Sequence, residues 1–148
     1  MSVDVLRFVQ TFGGSLVTGQ AIALETDYQR SSALLLGVLL LMAGEDIDRL
    51  VERLVEENRV LRELLGEGAD LLGAGEAAAD LRALAAEIDA GLRITVLQAA
   101  NDRLRRGLIR LHAAVEDLDG GPARAFEDRL WLELARSVER RRLVMSPF

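Results

Sequence analysis

The chain has 148 residues, half of them apolar, with a formal net charge of −6 and no cysteine. A chain of this length and apolar content can bury a core as one helical-bundle domain, residues 1–148. Without cysteine, disulfides, zinc–thiolate sites and thiol catalysis are excluded. The acidic balance disfavours nucleic-acid binding, which depends on neutralising phosphate charge.

Aromatic residues make up only 4% of the chain, whereas leucine and alanine are abundant. This composition favours helices over strands, so we expect an all-α protein. The start of the chain lacks the basic lead of a secretory signal. The longest apolar run, residues 33–43, is shorter than the roughly 20 residues that span a bilayer. Both features predict a soluble, cytoplasmic protein with no membrane partner.

A short N-terminal helix is predicted between Ser2, a candidate N-cap, and the glycine pair Gly13-Gly14. We expect this helix to lie across a larger body. Its apolar face comprises Val5, Phe8, Val9 and Phe12.

The first long helix is predicted from about Thr18 to Ala43, with Gly44 ending it. Asp46 is a candidate N-cap for the second long helix, which keeps its heptad phase to Gly66. Such a short connection predicts an antiparallel hairpin.

An alanine-rich helical stretch at 76–90 follows a glycine-rich segment and forms the crossover between the two halves. It could also extend the third long helix, which begins near Ile94. Its apolar phase does not continue cleanly into Ile94, so we expect a kink or break near Gly91.

The third long helix has apolar heptad positions from Ile94 to Leu118 and is closed by the Gly120-Gly121 pair. The last long helix is predicted over about 123–143, with Pro122 in its first turn. Its expected buried residues are Phe126, Leu130, Leu134 and Val138.

These elements predict a four-helix bundle of two antiparallel helical hairpins joined by a helical crossover, with the short N-terminal helix packed outside. Each helix of such a bundle shows one apolar stripe to the core. The stretch Leu34–Met42 is instead apolar all round. Its outer side needs a cover, which can be the Val5–Phe12 segment, the crossover helix or a second copy of the chain. We predict a homodimer through this first long helix.

The only two asparagines lie in matching leucine seams, at heptad positions that normally face a partner helix. Counting along antiparallel helices places Asn58 and Asn101 in one layer. The same counting brings Tyr28 or Ser31, and Glu139, near them. The two seams are Leu54-x-x-x-Asn58-x-x-Leu61-Arg62-x-x-Leu65 and Leu97-x-x-x-Asn101-x-x-Leu104-Arg105-x-x-Leu108.

Three interpretations of this layer remain open, one of which is that it is buried asymmetrically, near a groove or solvent. It can fix the register of the helices, as heptad asparagines often do. It can also bind a small anion, because Arg62 and Arg105 follow the asparagines by one turn and guanidinium groups hold carboxylates or phosphates. The candidate ligand-binding residues are Tyr28, Ser31, Asn58, Arg62, Asn101 and Arg105.

No catalytic constellation, metal site or cofactor motif is predicted. His112 is the only histidine and lies off the apolar seam, so we expect a boundary residue rather than a ligand. The leading hypothesis is a non-enzymatic bundle that acts through self-association or protein–protein interaction. The alternative is a small-molecule-binding bundle or accessory enzyme subunit. A third hypothesis is anion or nucleic-acid binding through Arg103, Arg105, Arg106 and Arg110.

Overall fold

The computed structural model describes residues 4–20 and 23–144, except for the side chain of Gln20. These residues form five α-helices and one π-helical segment, with no strand, so the all-α prediction is confirmed for the described chain. Ser2, the expected first cap, lies outside it. The helices are α1 Val5–Ser15, α2 Asp27–Leu72, α3 Glu76–Ala86, α4 Ile94–Glu116 and α5 Gly121–Arg141, and the π-helical segment is Leu16–Gln20.

Capping side chains determine where the first two helices begin. The carboxylate of Asp4 accepts a hydrogen bond from the backbone N–H of Arg7 at 3.0 Å and so caps α1. Thr26 and Gln29 form a reciprocal capping box at the start of α2, with bonds of 3.2 and 3.3 Å. The first long helix therefore begins at Asp27 rather than at Thr18.

The hairpin expected at Gly44 is absent, because α2 continues through Gly44 and Asp46 to Leu72. A Cβ at Gly44 would lie 3.1 Å from the Gln10 side chain, so this glycine allows close packing with α1 instead of ending a helix. The glycines with positive φ among the described residues are Gly73, Gly75 and Gly120. All three lie in connections between helices.

The chain divides into two compact units, and the boundary between them falls within α2. The first unit comprises 1–50 and 142–148, and the second is Val51–Arg141. In the first unit, α1 packs on α2. A Cβ at Gly13 would lie 3.0 Å from the Gly37 oxygen, while Leu6 and Gln10 approach Gly44, so the two helices run antiparallel.

In the second unit, the helices alternate in direction along the chain. Arg82 of α3 hydrogen-bonds to Asp70 of α2, and Asp89, which follows α3, bonds to Arg62, so α3 runs antiparallel to α2. Arg129 of α5 pairs with Glu67 of α2, and Arg141 pairs with Glu57, so α5 also runs antiparallel to α2.

The direction of α4 corrects the expected arrangement. Asn58 of α2 contacts Asn101 of α4, and Gly68 contacts Leu111, so α2 and α4 run parallel rather than antiparallel. The physical reason is that α3 is a complete return pass between them. The crossover is therefore a separate helix, and the chain breaks over 87–93, around the predicted position at Gly91.

The core of the second unit consists of apolar side chains from all four of its helical segments. Val138 is an exception to the predicted stripe of α5, since it is exposed and Ser137 is buried in its place. The buried cluster contains Leu61, Leu64, Leu65, Ala69, Leu81, Leu104, Leu108, Leu111, Val115, Ala123, Phe126 and Leu130.

Candidate functional site

The two asparagines form a direct pair inside the second unit. The side-chain N–H of Asn101 donates to Oδ1 of Asn58 at 2.9 Å, and Asn58 is fully buried. Asn58 donates its own two N–H groups to Asp89 and to the backbone oxygen of Leu97, both at 3.2 Å. The two asparagines share one layer, as predicted, but the helices that carry them run parallel rather than antiparallel.

Glu57 is the centre of the polar contacts on one side of this pair. Its carboxylate is 1% exposed and accepts five hydrogen bonds. Arg141 donates two of them, at 3.0 and 2.7 Å. The other donors are Arg105 at 3.0 Å, Ser137 at 3.3 Å and Asn101 at 3.4 Å. The carboxylate thus links α2, α4 and α5.

The pKa of Glu57 reflects two opposing effects. Burial disfavours the charged carboxylate, while hydrogen bonds and charge from Arg141 and Arg105 favour it. The arginines outweigh burial, and the pKa is lowered from 4.5 to about 2. Glu57 is therefore an anion at neutral pH and is poorly suited to accept or deliver a proton there.

Asp89 holds the other side of the asparagine pair. It lies in the connection after α3 and accepts from Arg62 at 2.6 Å as well as from Asn58. A continuous chain of hydrogen bonds then runs through the unit. We call it the polar network: Arg62, Asp89, Asn58, Asn101, Glu57, Arg105, Ser137 and Arg141.

The asparagine pair at the centre of the polar network is closed to all but the smallest molecules. All four side-chain N–H bonds of the two asparagines are donated within the protein, and Arg105 donates to Oδ1 of Asn101 at 2.8 Å. A cavity of about 10 Å³ lies beside Glu57, Arg105 and Ser137. This volume is about that of one water position.

The structure brings together four of the six candidate ligand-binding residues, namely Asn58, Arg62, Asn101 and Arg105. Tyr28 and Ser31 belong to the first unit, where both are exposed, Tyr28 at 82%. The turn that was expected to return them toward Asn58 does not form, because α2 continues through Gly44. Glu139 is also exposed, and α5 supplies Ser137 and Arg141 to the polar network instead.

Sequence reasoning missed Glu57, Asp89, Ser137 and Arg141. Glu57 lies on a second stripe, at the spacing Leu54-x-x-Glu57-x-x-x-Leu61, where burial can be read from the helical period. Ser137 follows Leu130 by seven residues, so strict heptad phase selects it over Val138. Asp89 lies in a connection and carries no periodic signal.

Two open grooves lie on the second unit, with volumes of about 350 and 290 Å³. In the larger groove, Arg59, Arg129 and Arg140 each pair with a neighbouring glutamate. In the smaller one, Asp89 bonds to Arg62, and Arg103 bonds to Glu87 at 3.0 Å. These charged groups already have partners within the protein.

The first unit has an exposed apolar surface. The Phe8 and Phe12 rings of α1 stack with centroids 6.0 Å apart, and both face solvent. Exposed leucines also follow one another along α2, although α1 covers the side that carries Gly37 and Gly44. The unit's large exposed apolar residues are Val5, Phe8, Phe12, Tyr28, Leu34, Leu35, Leu36, Leu39, Ile47 and Val144.

The remaining candidate chemistry is sparse. His112 is half-buried, lies 3.5 Å from Glu116 and makes an edge contact with Trp131. Within the described ranges, no three His, Cys, Asp or Glu side chains group as a metal site. Over the same residues, no helix is long and apolar enough to cross a membrane. Comparison with protein-family models, curated proteins and solved structures finds no match for the chain.

Proposed function

We propose that this protein is a non-enzymatic, cytoplasmic helical-bundle protein that acts by self-association, as a homodimer formed through its first unit. The second unit, 51–141, serves as a four-helix bundle of up-down-up-down order. In this proposal, the first unit supplies the contact surface and the second supplies a stably folded body.

The observation that carries the proposal is the small size of the core in the first unit. Among its described side chains, Leu16 is the only apolar one that is buried; the other buried residues are Gly13, Gly37 and Gly44. Isolated helices gain little stability from propensity alone, and a single core in a unit of this size contributes little free energy unless disulfides, metals or oligomerisation add to it. A second copy that covers the exposed leucines and phenylalanines would supply the missing burial.

The polar network supports a structural role for the asparagines. A binding site for a small anion needs donors that point into open space, whereas these donors are used within the protein and the adjoining cavity holds about one water. A buried and satisfied polar layer selects one register among helices of similar apolar pattern. Self-association is therefore better supported than ligand binding.

Light scattering across a dilution series tests the proposal. The wild-type protein should have twice the 16.2 kDa monomer mass at tens of micromolar. Leu39→Glu should weaken the dimer by about 100-fold or more, because dimerisation would bury an unpaired charge. The matched control is Ile109→Glu, at an exposed position of the second unit, which should leave the mass unchanged. A wild-type monomer at these concentrations would refute the proposal.

A further inference from the structure

The α1–α2 hairpin of the first unit has one side on which apolar residues of both helices meet. Gly13, Gly37 and Gly44 mark the directions in which the two helices face each other. At 100° per residue, the exposed apolar residues of α1 and part of those of α2 project to the same side of the hairpin. We define this apolar hairpin face as Val5, Phe8, Phe12, Leu36 and Leu39.

From this face we infer that the dimer is a closed, two-fold assembly in which the apolar hairpin faces of two copies pack together, so that α1 and α2 of each copy both contribute. The inference rests on the proposed self-association and adds the contact surface and its symmetry. It assigns α1 a direct role in binding the partner, in addition to its contact with α2.

The size of the apolar hairpin face fits this role. Its five side chains are 41–60% exposed. If each residue had the roughly 150–250 Å² of an aromatic side chain, the face would present on the order of 500 Å² of apolar area, which is an upper bound because three of the five residues are Val or Leu. A standard-size interface buries about 800 Å² per partner, and in homodimers about 65% of that is apolar. The two areas agree without a contribution from the second unit.

The charge pattern permits a second copy as the partner. Residues 8–24 and 31–44 contain no Asp, Glu, Lys or Arg. Four of the five residues of the apolar hairpin face lie in these segments, and Val5 lies between Asp4 and Arg7. Two identical faces can therefore approach with little like-charge repulsion, and the side chains of the face carry no charge that calls for a partner of opposite sign. The interface then gains its free energy mainly from apolar burial.

The two-fold symmetry of the inferred dimer follows because both copies use the same apolar hairpin face. When the same patch serves both partners, a two-fold axis relates the copies and the assembly closes at two. A head-to-tail contact would need two different patches on each copy. The mass should therefore stop at two copies as concentration rises.

A panel of charge substitutions tests the inference by sedimentation velocity over a dilution series. Phe12→Glu on α1 and Leu36→Glu on α2 should each weaken the wild-type dimer by about 100-fold or more. Phe8→Gln, a neutral polar change, should cost about tenfold. Val138→Glu is the control, because Val138 is similarly exposed but lies in the second unit. Trp131, the only tryptophan, reports through its fluorescence whether the second unit of each variant stays folded.

The outcomes separate this inference from the proposed function. If Leu36→Glu dissociates the dimer while Phe12→Glu and Phe8→Gln do not, α1 has no place in the interface and the joint face is refuted. Dissociation by Val138→Glu, or a mass that grows beyond two copies, would also overturn it while self-association stands. A wild-type monomer refutes both, and co-sedimentation of that monomer with phosphatidylcholine vesicles would assign the face to a lipid surface.

Discussion

At the scale of residues, Asn58 and Asn101 are a buried amide pair whose partners are all protein groups. Asn58 supplies the acceptor for Asn101, and both amides are tied to a carboxylate, Asp89 or Glu57. A buried amide that loses one partner keeps the cost of desolvation without its compensation. The pair should therefore behave as one unit in mutagenesis.

A double-mutant cycle measures this coupling. Asn58→Leu and Asn101→Leu should each lower the free energy of unfolding by about 1–3 kcal/mol, because each leaves buried polar groups unpaired. The double variant should lose clearly less than the sum of the two, since neither amide is then left without the other. Urea unfolding followed by Trp131 fluorescence gives the three values, and strictly additive losses would contradict the account.

The depressed pKa of Glu57 predicts a specific pH dependence. The folded value of about 2 lies below the ordinary 4.5, so the unfolded chain binds the proton first as the pH falls. The stability that Glu57 contributes is present above about pH 4.5 and is lost as the pH falls toward 2. Glu57→Gln should be less stable than wild type at pH 7, and this difference should narrow below pH 4.5. A difference that stays constant from pH 7 to pH 3 would be inconsistent with a charged, arginine-bound Glu57.

The sequence was sufficient to predict the buried asparagines of the site but not the roles of the carboxylates that bind them. The asparagine pair could be predicted because a polar residue in a leucine seam must face another helix. The roles of the carboxylates could not, because the helical period indicates that Glu57 is buried but not which groups it binds, and Asp89 lies outside any helix. The hydrogen-bond partners of these carboxylates depend on how α2, α4 and α5 are oriented relative to one another.

At the scale of elements, glycine has two roles in this chain. It allows positive φ in connections between helices, and it allows another element to approach a helix closely. At Gly73 and Gly120 positive φ occurs in a connection between helices, as glycine often permits. At Gly44 and Gly68 the missing side chain lets another element approach, and α2 continues without a break. The predicted helix ends at Gly44 and Gly66 were wrong, because the sequence does not distinguish a glycine inside a helix from one that ends a helix.

Two neighbouring glycines of α2 give a matched test. A Cβ at Gly68 would lie 2.3 Å from the buried Leu111 side chain, whereas one at Gly66 would meet only Ala85, at 3.9 Å. Gly66→Ala should therefore stabilise the protein by up to about 1 kcal/mol through helix propensity. Gly68→Ala should destabilise it by about 1–3 kcal/mol through overpacking. Chemical denaturation of both variants checks this, and equal effects would show that Leu111 is not held in place.

At the scale of the whole molecule, the two units differ in how they are stabilised. The second unit buries a leucine-rich core and a hydrogen-bonded asparagine pair. The first fully buries mostly glycine backbone, half-buries apolar side chains such as Val9 and Leu41, and exposes others such as Phe8 and Leu35. The sequence predicted that something must cover the Leu34–Met42 helix. It left the cover undetermined, because contact with α1 and an exposed outer side are compatible with the same apolar pattern.

Amide hydrogen exchange at several protein concentrations tests the central claim, that the first unit is stabilised by association with a second copy. Protection of α1 and of the α2 amides before residue 50 should rise with concentration, because dimerisation stabilises the folded unit by mass action. Protection across 51–141 should stay constant and serves as the internal control. Protection of the first unit that is high and independent of concentration, in a protein that remains monomeric, would contradict the account.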